Sequence, residues 1–140
     1  MKEFEASATI DAPAQVIWGV LLDTPRWPEW DPFCVEIEGT VELGAKLKAW
    51  SKLDPKRGFC VKVTELTPNR KMVWSGGMPL GLFKGVRSYT LTPEGDRTGF
   101  TPHEVFSGPM SGLIPLPDMS EAFRAYVQGL KERAEATASR

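Results

Sequence analysis

The clearest pattern in the sequence is a set of apolar residues that recur at helical spacing near the C-terminus. They fall on one side of a helix drawn from about Ser120 to Ala138 and comprise Ala122, Phe123, Tyr126, Val127, Leu130 and Ala134. Charged and polar residues fill the other side, and Ser120 is a candidate N-cap. The spacing predicts a long amphipathic helix whose apolar face is buried against another element.

Near the N-terminus the pattern alternates with a period of two. In residues 3–11 apolar side chains occupy every second position, which is typical of a half-buried strand. Asp11 can then cap a short helix that accepts Pro13 in its first turn and ends before Asp23. Residues 27–32 contain too much proline for a long helix, so a short helical turn or a tight loop is expected there.

The middle of the chain predicts three β-hairpins, because each can bury one consistent face. The first joins residues 35–43 to residues 46–53 in a register that sets Ile37 opposite Leu53, with acidic residues facing lysines on the other side. The basic residues of this region then lie on a solvated strand face, and they are Lys46, Lys48, Lys52, Lys56 and Arg57. Acidic residues interleave with them, so nucleic-acid binding is not expected.

The second hairpin joins residues 59–66 to residues 71–76 around a turn at 67–70. Its predicted inner face carries Phe59, Val61 and Val63 opposite Met72, Trp74 and Gly76. The glycine-rich stretch that follows contains a proline and lacks the ending of a phosphate-binding loop, so it is expected to be a partly apolar connection.

The third hairpin joins residues 83–92 to residues 98–107 around Gly95 and Asp96. Its predicted cross-strand pairs are Leu91 with Phe100, Tyr89 with Pro102, Arg87 with Glu104, and Gly85 with Phe106. All eight residues then share one face of the sheet. Residues 107–119 are rich in proline and glycine without apolar periodicity, and they predict a loop that covers part of the molecule.

The composition fits one globular domain over residues 1–140. The chain is 41% hydrophobic and 25% charged, with a formal net charge of -1, so no general attraction to nucleic acid or anionic membrane is expected. Neither a signal peptide nor a membrane-inserting run is apparent, which predicts a cytoplasmic protein. Cys34 and Cys60 are expected to be free thiols, and His103 is the single histidine, so the sequence predicts neither a metal site nor a cofactor.

Several motifs in this order resemble the START-like superfamily, also called SRPBCC or polyketide cyclase/dehydrase-like proteins. The motifs are Ala12-Pro13-Ala14-Gln15-Val16-Ile17-Trp18, Trp27-Pro28-Glu29-Trp30-Asp31-Pro32-Phe33, Met72-Val73-Trp74-Ser75-Gly76, Gly81-Leu82-Phe83, Phe106-Ser107-Gly108 and Leu130-Lys131-Glu132-Arg133-Ala134-Glu135. The resemblance covers essentially the whole chain and implies an α+β helix-grip fold. In that fold a curved antiparallel sheet, here of about seven strands, wraps around the C-terminal helix and leaves a cavity for an apolar ligand.

One position departs from the pattern that the resemblance implies. Nearer relatives often have a histidine where this chain has Pro102, within a Phe-x-His-x-Glu-x-Phe motif. Any role of that histidine does not carry over to His103, because alternation along the strand points His103 outward.

Arg87 opposite Glu104 is the most informative polar feature on the predicted inner face. Burying either charge alone costs several kcal/mol, on the order expected for an unpaired ion, so the two are expected to pair. The pair is either a structural ion pair or a polar anchor in which Arg87 holds a ligand carboxylate or carbonyl. The other candidate lining residues are Tyr89, Trp74, Met72, Phe59, Phe83, Phe106, Phe123 and Tyr126. Candidate entrance residues are Trp30, Met110 and Leu113.

The function that these residues predict is the binding of a hydrophobic or amphipathic small molecule, such as a lipid, an aromatic compound or a polyketide-like compound. No catalytic residue is assigned, because no nucleophile with its base is visible. A cyclase-type enzyme that uses Arg87, Tyr89 and Glu104 for proton transfer is an alternative. A co-chaperone-like adaptor acting through its outer surface is another. A monomer or a homodimer would suit each of these functions.

Overall fold

The computed structural model describes residues 2–77, 79–113 and 118–139. These residues form eight strands, two α-helices and two short 3-10 segments, Thr24–Glu29 and Pro79–Gly81. The strands are β1 Lys2–Glu5, β2 Ala8–Ile10, β3 Cys34–Glu38, β4 Lys46–Ser51, β5 Asp54–Thr67, β6 Lys71–Gly77, β7 Lys84–Glu94 and β8 Arg97–Ser107. The helices are α1 Ala14–Leu22 and α2 Ser120–Ala138.

All eight strands belong to one antiparallel sheet. Its order is β1-β8-β7-β6-β5-β4-β3, and β2 also pairs with β8. Helix α2 packs over β1, β2 and β8 and against α1, so it covers one side of the sheet. The α+β helix-grip architecture expected from the sequence is confirmed, with eight strands where about seven were expected.

The C-terminal helix has the predicted bounds and buries the predicted stripe. Its buried residues are Phe123, Tyr126, Val127, Gly129, Leu130 and Ala134, while Ala122 is half-buried. The predicted cap is wrong, because Ser120 is the first helical residue and its backbone N–H donates to Asp118 Oδ1 at 2.9 Å. At the other helix Asp11 does not cap α1 either, since the N-cap residue is Pro13 and no side chain makes a capping hydrogen bond there.

The third hairpin is confirmed residue by residue. All four predicted pairs occur between β7 and β8, including Arg87 with Glu104 and Tyr89 with Pro102. A short turn leaves little freedom in register, and a slip by one residue would expose the buried face. This hairpin fixes the position of the candidate polar anchor in the sheet.

The predicted register of the first hairpin is wrong by four residues. Ile37 lies opposite Ala49, not Leu53. Strand β3 ends at Glu38, and Gly39 then takes φ of +111°, a conformation that glycine adopts at little cost. The chain next pairs with β5 rather than β4, because the Gly44 N–H donates to the Val63 carbonyl oxygen at 2.8 Å.

The second hairpin keeps its predicted inner face but contains a bulge. The register shifts between Val63 and Glu65, and Val63 faces Trp74 across the strands. Phe59 is a correction to the predicted site, because its side chain is 40% exposed. It lies toward the β4 side of the sheet, opposite Ala49, whereas α2 covers the other edge.

Candidate functional site

A cluster of aromatic rings fills the interior beneath the middle of α2. Trp27 and Trp74 stack with ring centroids 5.2 Å apart and planes 5° from parallel. Tyr126 of α2 lies edge-on to Trp30 at 5.0 Å and 5.9 Å from Tyr89. Such contacts stabilise a core by about 0.5 to 1.5 kcal/mol per pair beyond the area they bury. We call this group the tryptophan cluster, and it comprises Trp27, Trp30, Trp74, Tyr89, Phe100 and Tyr126.

Trp30 was expected at an entrance, but the structure places it inside. Its side chain is buried under α2, where the helix approaches the backbone of Trp30 closely. A Cβ atom on Gly129 would lie 1.8 Å from the Trp30 carbonyl oxygen, so only glycine fits at that contact. Trp30 therefore closes one end of the core.

The predicted ion pair forms beside this cluster. Arg87 Nη2 donates to Glu104 Oε1 at 3.0 Å, and the two side chains are 29% and 14% exposed. On the other side of Arg87 the cross-strand neighbour is Trp74. The guanidinium carbon also lies 4.7 Å from the ring centroid of Phe123, a cation–π contact from the helix. Sheet and helix thus hold Arg87 between them while part of its side chain stays accessible.

Five buried polar atoms in this interior have no hydrogen bond of good geometry within the described residues. They are Trp30 Nε1, Trp74 Nε1, Arg87 Nε, Tyr89 Oη and Tyr126 Oη. Of these, Tyr89 Oη lies close enough to the Arg87 guanidinium for a weaker hydrogen bond that acts on the pKa of both groups. Each buried group left in this state costs about 1 to 3 kcal/mol, so such groups are uncommon in native proteins. By contrast, Trp27 Nε1 donates to the Leu21 carbonyl oxygen at 3.1 Å. These buried atoms therefore set this region apart from an ordinary core.

Burial and neighbouring charges shift the pKa values of the titratable groups in and beside this cluster. Burial raises the pKa of Tyr89 to about 12, although the nearby Arg87 guanidinium opposes this shift. Burial also raises the pKa of Tyr126 well above its usual value. For Arg87, burial acts to lower the pKa, but the Glu104 carboxylate and the two phenols raise it overall. At neutral pH the phenols are neutral and Arg87 is charged.

Asp31 belongs to the site and was not among the predicted residues. Its side chain is buried, and Oδ1 accepts a hydrogen bond from the Phe33 backbone N–H at 3.1 Å. Burial raises the pKa of this carboxyl, and its charge acts on Arg87, Tyr89 and Tyr126. Little in the sequence indicates this role, because an Asp before a proline is typical of a turn.

A second aromatic group lies at the other end of the interior. Phe83 stacks on Phe106 at 5.7 Å, and Phe4 contacts both Phe106 at 6.3 Å and Phe123 at 6.1 Å. We call these four residues the phenylalanine group. It reaches the ion pair through Phe123, whose ring centroid lies 4.7 Å from the guanidinium carbon of Arg87.

Two glycines allow close packing beside this group. Gly76 and Gly85 are cross-strand partners, and they lie two residues along β6 and β7 from the pair Trp74 and Arg87. An added Cβ would lie 2.4 Å from the Cys60 carbonyl oxygen at Gly76 and 3.0 Å from the Phe106 ring at Gly85. The Phe106 ring can therefore pack against the backbone of Gly85 only because this residue has no side chain.

The remaining predicted site residues lie in different environments. Met72 is fully buried in the core, so it supports the cluster from below. Among the predicted entrance residues, Met110 is half-buried and Leu113 is 77% exposed. The Met110 N–H donates to the Leu82 carbonyl oxygen at 2.8 Å, which ties this loop to the start of β7. The rest of the predicted covering loop, residues 114–117, lies outside the described residues.

A groove of about 570 Å³ lies over β3 to β6 and extends to Gly76, two residues along β6 from Trp74. Leu47, Val61 and Gly76 line it together with Lys46 and Lys62, and it is open to solvent. Arg87 and Glu104 are not part of its lining. The candidate site therefore depends on the side chains around the ion pair and not on this groove.

Other kinds of site have little support in residues 2–77, 79–113 and 118–139. No group of three or more His, Cys, Asp or Glu side chains is placed to bind a metal there. Within the same residues, no helix combines the length and the apolar character needed to cross a membrane. Cys34 is buried and Cys60 exposed, both as free thiols, and burial raises the pKa of Cys34 to about 12.

Solved structures with the same fold include proteins of several kinds. A START superfamily protein from Mycobacterium smegmatis aligns with a TM-score of 0.67 and 14% identity, covering 98% of this chain and 97% of that one. The Aha1 dimer from Colwellia psychrerythraea gives 0.73 and 19%, covering 96% and 97%. The di-domain ARO/CYC BexL of the BE-7585A biosynthetic pathway gives 0.74 and 15%, and covers 100% of this chain but 48% of its own. At these identities the likeness shows the fold alone.

Sequence comparison identifies the family. No curated protein matches the sequence. A family model described as polyketide cyclase / dehydrase and lipid transport matches residues 1–138, nearly the full chain. The motifs that resemble START-like proteins and the helix-grip architecture agree with that match. The chain therefore belongs to the family of polyketide cyclase/dehydrase and lipid transport proteins.

Proposed function

We propose that the protein binds a hydrophobic or amphipathic small molecule between the curved sheet and α2, beside Arg87. The observation that carries this proposal is the charged side chain of Arg87, which is partly accessible, contacts the ring of Phe123, and lies in an interior with buried polar atoms that lack partners among the described residues. Small-molecule sites combine largely apolar walls with a few polar groups that orient the ligand. The site has both components.

The competing interpretation is that Arg87 and Glu104 only stabilise the fold. Partly buried ion pairs are a weak source of stability, since apolar residues of similar volume often serve as well or better. Glu104 also uses one donor of the guanidinium, at 3.0 Å, and Arg87 Nε has no partner among the described residues. A structural pair would not need the remaining donors, whereas a ligand can accept from them.

The family match supports the same proposal. Its description includes lipid transport, and the fold likeness extends to a START superfamily protein and to an aromatase/cyclase. A protein of this family therefore has precedents both for carrying an apolar molecule and for acting on one.

Native mass spectrometry of gently purified protein, followed by extraction, tests whether a small molecule accompanies the chain. Nile red, a neutral dye whose emission rises in apolar sites, then measures binding directly. We expect Arg87→Met to weaken Nile red binding about tenfold, the equivalent of one hydrogen bond near 1.4 kcal/mol. Arg97→Met is the matched control, because Arg97 lies on the same hairpin but is 65% exposed. Unchanged binding by Arg87→Met, with only lower stability, would contradict the proposal.

A cyclase-type reaction is the second candidate, and the contact of Arg87 with both Glu104 and Tyr89 favours it. Arg87 lies 6.0 Å from the Tyr89 ring centroid, and the Tyr89 hydroxyl is a weak acid with a pKa of about 12. Buried beside Arg87, this hydroxyl can orient the guanidinium, whose accessible donors can hydrogen-bond a carbonyl oxygen during ring closure. Incubation with a linear poly-β-ketone analogue tests this reaction, and Tyr89→Phe should slow cyclisation while leaving Nile red binding nearly unchanged.

A further inference from the structure

The groove over β3 to β6 lies on the outer face of the sheet, away from α2. Leu47 and Val63 are buried, which places them on the inner face. Alternation along β4 and β5 then turns their neighbours Lys46, Lys48 and Lys62 outward. The outward-facing side chains among the lining residues are Glu38, Lys46, Lys48, Cys60, Lys62 and Ser75. The groove is therefore separate from the interior, although the same strands form both.

Two of the lysines face each other directly across neighbouring strands. Lys46 of β4 is the cross-strand partner of Lys62 of β5. Among the strand pairs of the described residues, this is the one that opposes two like charges, whereas Lys48 faces Glu38. Like charges directly opposite each other destabilise a sheet, and neither Lys46 nor Lys62 forms an ion pair within the described residues. A bound anion would remove this repulsion.

The groove also has a local excess of positive charge. Its three lysines carry three positive charges and Glu38 carries one negative charge, which leaves an excess of two. Lys48 Nζ lies 5.2 Å from the ring centroid of Trp50, so Lys46 and Lys62 are the pair best placed to share a ligand. The net charge of the whole chain is -1. The excess is therefore confined to this groove and favours a small anion over a nucleic acid, which needs an extended basic surface.

A phosphate monoester matches this arrangement in charge and in geometry. At pH 7 such a group carries about 1.5 to 2 negative charges and has three oxygens that accept hydrogen bonds. Directly opposite side chains have Cβ atoms about 4.5 to 5.5 Å apart, and each lysine has three donors on a flexible stem. Two ammonium groups can therefore contact one phosphate from both sides. The volume of about 570 Å³ also leaves room for the rest of a small molecule.

We infer that this groove is a second binding site and that its ligand is a small molecule with a phosphate monoester group. Lys46 and Lys62 hold the phosphate between them. Ser75, the neighbour of Lys62 on β6, lies beside it with a hydroxyl group. The site does not require the apolar ligand of the interior, so this inference goes beyond the proposed function.

Cys60 provides a reporter inside the groove. It is exposed and lies opposite Lys48, whereas Cys34 is buried, so iodoacetamide should alkylate Cys60 selectively. Mass spectrometry of the full chain follows the rate at pH 7 with glucose 6-phosphate, glucuronate or glucose as the probe. We expect saturating glucose 6-phosphate to slow alkylation by about fivefold or more. Glucuronate and glucose should bind at least about tenfold more weakly, because they lack the second charge or any charge.

Two substitutions test the lysine pair. Lys62→Gln should weaken the binding of glucose 6-phosphate about tenfold, the equivalent of one charge-assisted hydrogen bond. Lys46→Glu replaces the like-charge pair with an opposite-charge pair, so it should abolish binding and raise the melting temperature by about 2 °C. A variant that gains stability has not lost its ligand through unfolding. Lys71→Gln is the matched control, because Lys71 has the same parity as Ser75 on β6 but lies outside the groove.

The outcomes separate this inference from the proposed function. Alkylation of Cys60 that glucose 6-phosphate does not slow would overturn the inference. Equal protection by glucuronate would overturn the choice of a phosphate, and an equal loss in Lys71→Gln would show general attraction to basic surface instead of a site. Nile red binding by Lys46→Glu should equal that of the wild type, and a change would contradict the separation of the two sites. Failure of the groove to bind leaves the proposed function standing.

Discussion

The two ends of the interior use the same face of the sheet in different ways. At the end covered by Trp27 and Trp30, rings stack closely and Trp27 Nε1 has its hydrogen bond to Leu21. At the end around Arg87 and Glu104, charges lie among phenylalanines and the side chain of Arg87 is 29% exposed. The first arrangement is that of a core that stabilises a fold, and the second has the mixture of groups that a binding site needs.

Burial alone therefore does not identify a site in this fold. Trp27 and Trp74 are both buried and stacked on each other, yet only Trp74 has a sealed N–H without a partner among the described residues. For this stacked pair, the state of the indole N–H and not the amount of apolar surface distinguishes the two rings, although Trp30 Nε1 at the packed end also lacks a partner among the described residues. The pair lies at the boundary of the two regions, since Trp27 is hydrogen-bonded to Leu21 and Trp74 lies opposite Arg87 across β6 and β7.

The largest expected effect comes from breaking the tightly packed end. Gly129→Ala places a methyl group 1.8 Å from the Trp30 carbonyl oxygen, so helix and loop must separate. We expect it to lower the free energy of unfolding by about 3 kcal/mol, measured by urea denaturation. Gly19→Ala is the control, since nothing lies within 4 Å of that position, and it should stabilise α1 by up to about 1 kcal/mol. A small effect at Gly129 would mean that α2 packs more loosely than described.

The next effect comes from leaving one charge of the ion pair without its partner. Arg87→Met leaves the Glu104 carboxylate, only 14% exposed, among phenylalanines and should destabilise the protein by about 2 kcal/mol at pH 7. The double variant Arg87→Met with Glu104→Leu should recover most of that loss, because no buried charge remains. Thermal unfolding of both variants checks this. If the double variant were as unstable as the single one, the pair would be a structural requirement of the polar end.

A matched pair of substitutions compares the stacked tryptophans directly. Trp27→Phe removes a ring and also leaves the Leu21 carbonyl oxygen without its donor, whereas Trp74→Phe removes no hydrogen bond within the described residues. Trp27→Phe should therefore cost about 1 kcal/mol more in stability than Trp74→Phe. Nile red binding should show the opposite order, with the larger loss at Trp74. Equal effects in both measurements would remove the distinction between the two ends.

The smallest effect concerns the pH dependence due to Asp31. Burial raises its pKa in the folded protein, opposed by Arg87, Lys52 and the Phe33 N–H, so the folded state holds the proton more tightly than the unfolded state. Stability therefore falls as the pH rises from the unfolded pKa, about 3.9, through the raised folded value, and the penalty is complete above it. Asp31→Asn keeps an oxygen for the Phe33 N–H and removes this penalty.

The measurement for Asp31→Asn is the melting temperature of variant and wild type at pH 3 and at pH 7. The difference between them should be near zero at pH 3 and should favour the variant at pH 7. A variant that is less stable than the wild type at pH 7 would show that attraction between Asp31 and Arg87 outweighs burial.

The sequence was sufficient to predict those elements whose apolar pattern and flanking turn residues indicate the same structure. The third hairpin has a short turn and a continuous apolar face, and its pairing of Arg87 with Glu104 could be read from alternation. Helix α2 has a long apolar stripe, so its bounds were also predicted. These two elements supply Arg87, Tyr89, Phe123 and Tyr126, which is why much of the candidate site was predicted.

The predictions that were wrong concern positions whose structure is determined by backbone conformation or tertiary packing. Alternation could not reveal that β3 would end early, just before Gly39. It also could not reveal that Val63 would hydrogen-bond to the loop between β3 and β4. Alternation along β5 places Phe59 on the inner face. Its exposure, however, depends on which strands α2 covers, and strand periodicity does not encode this. Asp31 acquires its role only from the tertiary fold, because its neighbours in the site are distant in sequence.

The stacked indoles of Trp27 and Trp74 have a spectroscopic consequence. Two such chromophores 5.2 Å apart couple their electronic transitions, which gives the folded chain an excitonic circular dichroism signal that separated indoles do not produce. Trp30 lies 5.5 Å from Trp27 and contributes to the same signal, so the difference between the spectra of wild type and Trp74→Phe isolates the contact at the boundary of the two regions. It allows the loosening of that contact to be followed separately from the unfolding of the strands that carry Arg87.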